Sequence, residues 1–251
     1  MSIVKTEGLT KVYGAGSTAV TALDHVNLSV APGEMVAVMG PSGCGKSTLL
    51  SLIGGLDRAT AGAVSIDGSN LSQLDDARLT ELRRRRIGFV FQTYNLIQVL
   101  DAVENVALPL ILDGVKPGEA RARAADWLRD VGLADRLGNR PDQLSGGQQQ
   151  RAAIARALVA EPALVLADEP TGNLDSRASD EIAVLLRQVA NQWGRAVLMV
   201  THDPRIAAYA DRIIFLKDGR IVDETQLNGD QNDAKMVREK AEALLTAAGE
   251  R

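Results

Sequence analysis

The run Gly40-Pro41-Ser42-Gly43-Cys44-Gly45-Lys46-Ser47-Thr48 has the composition and spacing of a loop that cradles a chain of phosphates. Glycines 40, 43 and 45 let successive backbone N–H groups turn inward toward anionic oxygens. A helix opening near Lys46 adds the partial positive charge of its N-terminus. Lys46 is then placed to bridge β- and γ-phosphates, and Ser47 to ligate Mg²⁺. A carboxylate pair, Asp168-Glu169, ends the apolar run Leu164-Val165-Leu166-Ala167. Asp168 stands where a carboxylate holds Mg²⁺ through water. Glu169 points elsewhere and can polarise an attacking water. The alternative, an acidic pair capping the turn before Pro170, loses weight beside a phosphate loop.

These groups need elements to position them. β-like runs are read at Ile3–Thr6, Val26–Val30, Met35–Met39, Val64–Asp67 and Ile87–Phe91, and again at Leu164–Asp168, Ala196–Thr201, Arg212–Leu216 and Arg220–Val222. Met35–Met39 and Leu164–Asp168 are almost wholly apolar, as strands covered on both faces are. Helical periodicity fits Lys46–Gly55, Asp101–Asp113, Gly118–Val131, Gly146–Ala160 and Ser176–Gln192. Strands alternating with helices predict a parallel α/β core. Glycine-containing turns between the first strands predict an added antiparallel sheet. No strand is read between Gln92 and about Glu161, so that block is expected to be a helical insertion in the core. Arg83–Arg86 reads as a solvated helix end, and His25 carries no motif.

The bulk of the chain narrows the class. At 251 residues it can bury a full core, with 45% hydrophobic and 24% charged residues. Aromatics at 3% and a net charge of −4 argue against a nucleic-acid surface. The single cysteine, Cys44, excludes an internal disulfide and fits a reducing compartment. No apolar run approaches membrane-spanning length, and the N-terminus has no signal core. The expectation is a cytoplasmic chain whose membrane role, if any, comes through a partner.

Further motifs carry a family resemblance. Gln92, Leu144-Ser145-Gly146-Gly147-Gln148, Asp168-Glu169, Asn173-Leu174-Asp175 and His202 occur in the order seen in ATP-binding-cassette ATPases. The likeness covers about residues 1–226. It implies a P-loop NTPase core with a mainly parallel sheet, an added N-terminal antiparallel β-sheet and an inserted helical subdomain, about 93–161. Residues 1–228 would form the nucleotide-binding domain and 229–251 a partly helical tail. The resemblance further implies that Tyr13 stacks on adenine, that Gln92 contacts Mg²⁺ and links to a transmembrane partner, and that Asp175 belongs to the ATP site. Ser145, Gly146 and Gly147, with Gln148, would meet the γ-phosphate held by a second subunit, and His202 would hold that phosphate and its water. Ser145 is also a favoured helix N-cap, and both roles stay open.

Three stretches, Ile87–Ile97, Leu144–Leu158 and Ala167–Ser176, resemble the lipoprotein-release and macrolide-export group of these ATPases. That likeness implies a homodimer in the ATP-bound state and an integral membrane permease with a large extracytoplasmic domain. The chain would then sit on the inner face of the cell membrane, and export or extrusion of lipoprotein, peptide or drug is the implied work. A regulator of cell-wall hydrolases that acts through a permease has the same features, and a soluble cassette ATPase is a more distant rival. Leu96, Ile97, Val99 and Leu100 are either the groove for a permease helix or packing within the insertion. Cys44 is either a thiolate favoured by Lys46 and the helix N-terminus or an inert residue under the loop. Met236, Val237, Ala241, Leu244 and Leu245 predict a frayed amphipathic helix in the tail.

Overall fold

The computed structural model describes residues 2–227 and 233–246. In chain order its elements are β1 (Val4–Tyr13), β2 (Val20–Val30), β3 (Met35–Met39), α1 (Lys46–Ile53), β4 (Ala61–Ile66), β5 (Ser69–Asn70), α2 (Asp76–Arg86), β6 (Ile87–Phe91) and α3 (Ala102–Leu112). There follow α4 (Pro117–Asp130), α5 (Gly146–Leu158), β7 (Leu164–Asp168), α6 (Ser176–Asn191), β8 (Ala196–Val200), α7 (Pro204–Ala207), β9 (Arg212–Lys217), β10 (Arg220–Gln226) and α8 (Asp233–Thr246). Six strands form one sheet in the order β10-β9-β3-β8-β7-β6, and β2-β1-β4-β5 form a second. From β9 to β6 the pairing is parallel, while β10 returns antiparallel on β9. The second sheet is antiparallel throughout.

Why β3, β7 and β8 are almost wholly apolar follows from this layering. Met35, Ala37 and Met39 face a core that contains Val106, Ile154, Ile182 and Leu186 of the helices. Val36 and Val38 face the opposite core, with Leu49 and Ile53 of α1 and Val26 and Val30 of β2. Successive residues of a strand point to opposite faces, so a sheet buried on both must be apolar at every position. All strands of the parallel set end at one edge, and the loops leaving that edge carry the chemistry.

Two expectations shift in extent. β1 runs to Tyr13 instead of ending at Thr6, and β2 starts at Val20 instead of Val26. Gly8 (φ +56°) and His25 (φ +53°) adopt left-handed backbone where the β1–β2 register slips, so what reads as a break in sequence is a bulge. The helix α2 begins well before the helix end read at Arg83–Arg86; only Leu79 of it is buried, so no apolar stripe marks its first turns in the sequence. Its arginines are not merely solvated. Arg83 donates to the Gly55 carbonyl at 2.7 Å, Arg84 and Arg85 pair with Asp113, and Arg86 pairs with Asp67. That neutralises the basic run and pins α2 to its neighbours.

Among the described residues no helix is long and apolar enough to cross a membrane. In α8, Val237 is 1% exposed and joins the helical-side core, and Lys240 bonds Asp223 and Thr225 of β10. Residues 229–232 and 247–251 of the expected tail lie outside the described residues.

Candidate phosphate site at the strand edge

The loop from Gly40 to Gly45 joins β3 to α1 at the edge where the parallel strands end. Gly43 (φ +79°) and Gly45 (φ +106°) take the left-handed backbone that aims N–H groups into the loop. At Gly40 and Gly45 a side chain is also excluded by space. An added Cβ would lie 2.0 Å from the Leu216 carbonyl oxygen and 2.3 Å from that of Ala22, respectively. Lys46, 7% exposed, donates from Nζ to the carbonyls of Gly40 (2.8 Å) and Pro41 (2.9 Å). No carboxylate pairs with it among the described residues. A buried cation resting on two neutral carbonyls is arranged for an anion delivered from outside.

Ser47 follows Lys46, and its Oγ lies 3.4 Å from Oδ1 of Asp168 at the end of β7. Burial pushes the Asp168 carboxyl above its ordinary range, and the neighbouring Glu169 charge adds to this. The Ser47 hydroxyl and Lys46 act in the opposite direction. A cation at this point would relieve the cost of the buried charge. The donor set suits Mg²⁺, which takes one or two protein oxygens plus phosphates and waters. Among the described residues there is no cluster of three or more His, Cys, Asp or Glu to make a self-contained metal cage.

Glu169 has φ +46°, left-handed and strained for a residue with a side chain. Its N–H donates to the Val200 carbonyl at 3.0 Å, and its Oε2 lies 3.2 Å from Nδ1 of His202. The turn after β7 therefore aims Glu169 away from Asp168 and toward the loop after β8. Thr171 is buried there, whereas His202 is exposed. Gln92 leaves β6 and bonds Asn173 twice: its Nε2 is 3.4 Å from Asn173 Oδ1, and Asn173 Nδ2 donates to the Gln92 carbonyl at 3.0 Å. Gly172 makes the approach possible, because a Cβ there would stand 2.6 Å from Gln92 Nε2.

Ser145 caps α5 in a reciprocal capping box. Its Oγ accepts from Gln148 N–H at 3.3 Å, and Gln148 Oε1 accepts from Ser145 N–H at 2.9 Å. Asp175 caps α6 in one direction only, accepting from Ala178 N–H at 2.8 Å. Both side chains thus have a local helix-starting partner. Ser145, Gly146, Gly147 and Gln148 line an open cavity of about 580 Å³ with Asn173 and Asp175. Gly40, Pro41 and Ser42 line a different one. The structure brings Lys46, Ser47, Asp168, Glu169 and His202 together, and leaves the Ser145–Gln148 segment on another part of the surface.

Cys44 corrects one expectation. It is 5% exposed, and desolvation pushes its thiol up despite the charge of Lys46. The packing alternative holds: an added Cβ at Gly40 would touch its Sγ at 2.7 Å, so the sulfur fills the space beneath the loop. Thr48 is half-buried on α1. The segment after Gln92 divides. Leu96 is 8% exposed and belongs to the core, Leu100 is half-buried, and Ile97 (41%) and Val99 (73%) are exposed.

Two positioning residues carried no signal that sequence reading used. Gln150, fully buried, donates from Nε2 to the carbonyls of Pro170 (2.6 Å) and Phe91 (3.3 Å), tying α5 to the turns that carry Glu169 and Gln92. Arg156 donates to the carbonyls of Tyr94 and Asn95, both in left-handed backbone. A glutamine and an arginine on the inward face of an amphipathic helix were the available clues.

Comparison with known proteins agrees with this geometry. A family model described as ABC transporter matches residues 23–172. The ABC transporter ATP-binding protein MJ0796 of Methanocaldococcus jannaschii is 49% identical over 231 residues, 90% of this chain and 98% of that one. The lipoprotein-releasing system ATP-binding protein LolD of Geobacter metallireducens is 49% identical over 221 residues, 88% of this chain and 98% of its own. The macrolide export ATP-binding/permease protein MacB of Mannheimia succiniciproducens is 46% identical over 92% of this chain but only 36% of its own length. A solved dimer of MJ0796 in a post-hydrolysis state, bound to ADP and Pi, superimposes with a TM-score of 0.82 at 48% identity, covering 90% of this chain and all of that one. A family match across more than half of the chain, joined to relatives alike along nearly their whole length, shows that this chain belongs to the ABC transporter family, in which it is an ATP-hydrolysing subunit.

Proposed function

We propose that ATP closes two copies of this chain head to tail, and that closure and reopening drive a membrane permease. The observation that carries the reading is the separation of the two half-sites. Lys46, Ser47, Asp168 and Glu169 gather at one edge, while Ser145–Gln148 line another cavity. A second copy supplies the missing half in each direction, so two nucleotides are enclosed by two loops and two α5 N-termini. The N–H groups of Gly146 and Gly147 at a helix start are suited to the γ-phosphate of the partner's nucleotide. The solved MJ0796 dimers support this arrangement.

In that closed state the loop of residues 40–48, through the N–H groups of its residues other than Pro41, and Lys46 hold the phosphates, and Tyr13 stacks on the base. Ser47, Asp168 and Gln92 would hold Mg²⁺, which supplies positive charge against the phosphate oxygens. Glu169 takes the proton of the attacking water, and His202, already within 3.2 Å of Glu169, orients the pair against the terminal phosphate. The exposed Ile97 and Val99, reached directly from Gln92, form the contact with a permease helix. The names of relatives, a lipoprotein-releasing system ATP-binding protein and a macrolide export ATP-binding/permease protein, support extrusion of lipoprotein or drug through a permease. A large extracytoplasmic domain on that permease, and peripheral attachment of this chain at the inner face of the cell membrane, belong to the same proposal.

The test is size-exclusion chromatography of Glu169→Gln with and without Mg-ATP. This variant keeps the shape of the side chain but loses the basic carboxylate, so ATP binds and is retained. We expect a dimer with ATP and a monomer without it. A Glu169→Gln protein that turns over ATP like the parent would overturn the assignment of Glu169.

A further inference from the structure

We infer that Lys11 and Asp57 form a clasp that fixes Tyr13 as a platform for the nucleotide base, which makes both of them positioning residues for ATP recognition. The inference rests on the reading of Tyr13 given above and extends it to residues outside every motif of the site.

Tyr13 ends β1 and pairs with Val20 of β2. The carbonyl of Ala22, two residues along β2, is the atom that crowds Gly45 of the phosphate loop. The end of this hairpin therefore lies against the phosphate site. Tyr13 is an aromatic ring at a strand end, 44% exposed. Here its orientation is set from outside the strand. The Tyr13 hydroxyl donates to Asp57 Oδ2 at 2.9 Å. The other oxygen of the same carboxylate, Oδ1, accepts from Lys11 Nζ at 2.7 Å. Lys11 Nζ also donates to the Arg58 carbonyl at 2.7 Å and stands 4.8 Å from the centre of the Tyr13 ring.

Each member is held by another. The ammonium lies within cation–π distance of the ring, and the carboxylate grips both the ammonium and the phenol. Lys11 holds the Asp57 carboxyl below the ordinary range, helped by the hydroxyl of Tyr13, so Asp57 is a charged acceptor at neutral pH. The lysine side chain is only 12% exposed and that of Asp57 33%, so solvent screens the pair less than a surface pair. Asp57 follows the Gly54-Gly55 turn at the end of α1, the helix whose first residue is Lys46. The clasp thus ties the base platform to the same helix that begins at the phosphates. A ring fixed before binding loses little rotamer freedom when a base stacks on it.

The experiment measures the dissociation constants of Mg-ATP and of tripolyphosphate, which has the phosphates without the base, for the full-length chain by calorimetry. Asp57→Ala and Lys11→Met are expected to weaken ATP on the order of fivefold, the scale of one stacking contact, and to leave tripolyphosphate unchanged. In a Tyr13→Ala background the same changes should cost nothing further. Asp57→Asn, which keeps an acceptor for the hydroxyl but removes the charge from Lys11, should fall between Asp57→Ala and the parent, and guards against loss of fold in the alanine variant. Equal weakening of ATP and tripolyphosphate would mean that the clasp merely holds the fold, and would overturn the inference. If Tyr13→Ala weakens ATP but the Lys11 and Asp57 variants do not, the clasp fails while the platform stands. If Tyr13→Ala leaves ATP affinity unchanged, the reading of Tyr13 fails and the clasp falls with it.

Discussion

Gln92 and Asn173 hold each other by two hydrogen bonds, side chain to side chain and side chain to backbone, across the ends of β6 and β7. The bonds join the segment leading to the exposed Ile97 and Val99 with the turn that begins at Glu169. The two segments are therefore tied to each other at this point. Gly172 permits that contact by having no side chain.

Substituting Gly172→Ala tests that link. The new methyl would sit 2.6 Å from Gln92 Nε2, so the amide must move. We expect kcat for ATP hydrolysis to fall on the order of tenfold or more, since displacement by about an ångström is costly at a reacting centre. Affinity for nucleotide without Mg²⁺, measured by equilibrium titration, should change little because the phosphate loop is untouched. Full activity in Gly172→Ala would show that the Gln92–Asn173 contact does not matter to turnover.

Lys46→Ala acts at the opposite stage. It removes a buried cation whose present acceptors are two loop carbonyls. Hydrogen bonds to charged groups contribute about 1.5–3 kcal/mol, so ATP affinity should drop by roughly ten- to a hundredfold. Calorimetric titration separates this binding defect from the trapped-ATP state expected of Glu169→Gln.

The surface after Gln92 is best probed by contrasting neighbours. Ile97→Asp and Val99→Asp place a charge at exposed positions, so thermal stability and basal ATPase activity should be near those of the parent. Co-purification with a permease should be lost, because an apolar helix facing the charge must desolvate it. Leu96→Asp should instead destabilise the chain by several kcal/mol, as an unpaired carboxylate in the core does. Melting temperatures and pull-down yields distinguish the outcomes. Retained pull-down by both exposed variants would exclude this face as the contact.

Cys44 should be slow to alkylate. Its thiol is buried and raised above the ordinary range, so at any pH between 7 and 8 less of it is thiolate than in a free cysteine. Maleimide labelling of the native chain, followed by mass spectrometry, should lag far behind labelling in denaturant. Cys44→Ala should keep its activity and lose about 1 kcal/mol of stability for the space left under the loop. Rapid native labelling that ATP blocks would restore the reactive-thiol reading.

The sequence alone determined the parts whose physics is local. A phosphate loop needs glycines at fixed offsets, so residues 40–48 announce themselves. A strand buried on both faces must be apolar throughout, so β3, β7 and β8 were legible. Alternating strands and helices imply a parallel core, and a capping residue such as Ser145 marks a helix start. Tertiary structure decided what depends on residues distant in the chain. The strands read as Ile3–Thr6 and Val26–Val30 run further because their pairing accommodates bulges at Gly8 and His25. The helix α2 had no apolar stripe because ion pairs to Asp113 and Asp67, not burial, hold its arginines. Cys44 had a cation beside it in sequence, but desolvation outweighs that charge once the loop closes over it. Leu96 and Val99 are chemically alike, and only packing separates one as core from the other as surface. The Lys11–Asp57–Tyr13 clasp spans residues far apart in sequence, and no spacing rule links them. A motif records what each residue can do, whereas long-range contacts fix its solvent exposure, its partners and its charge.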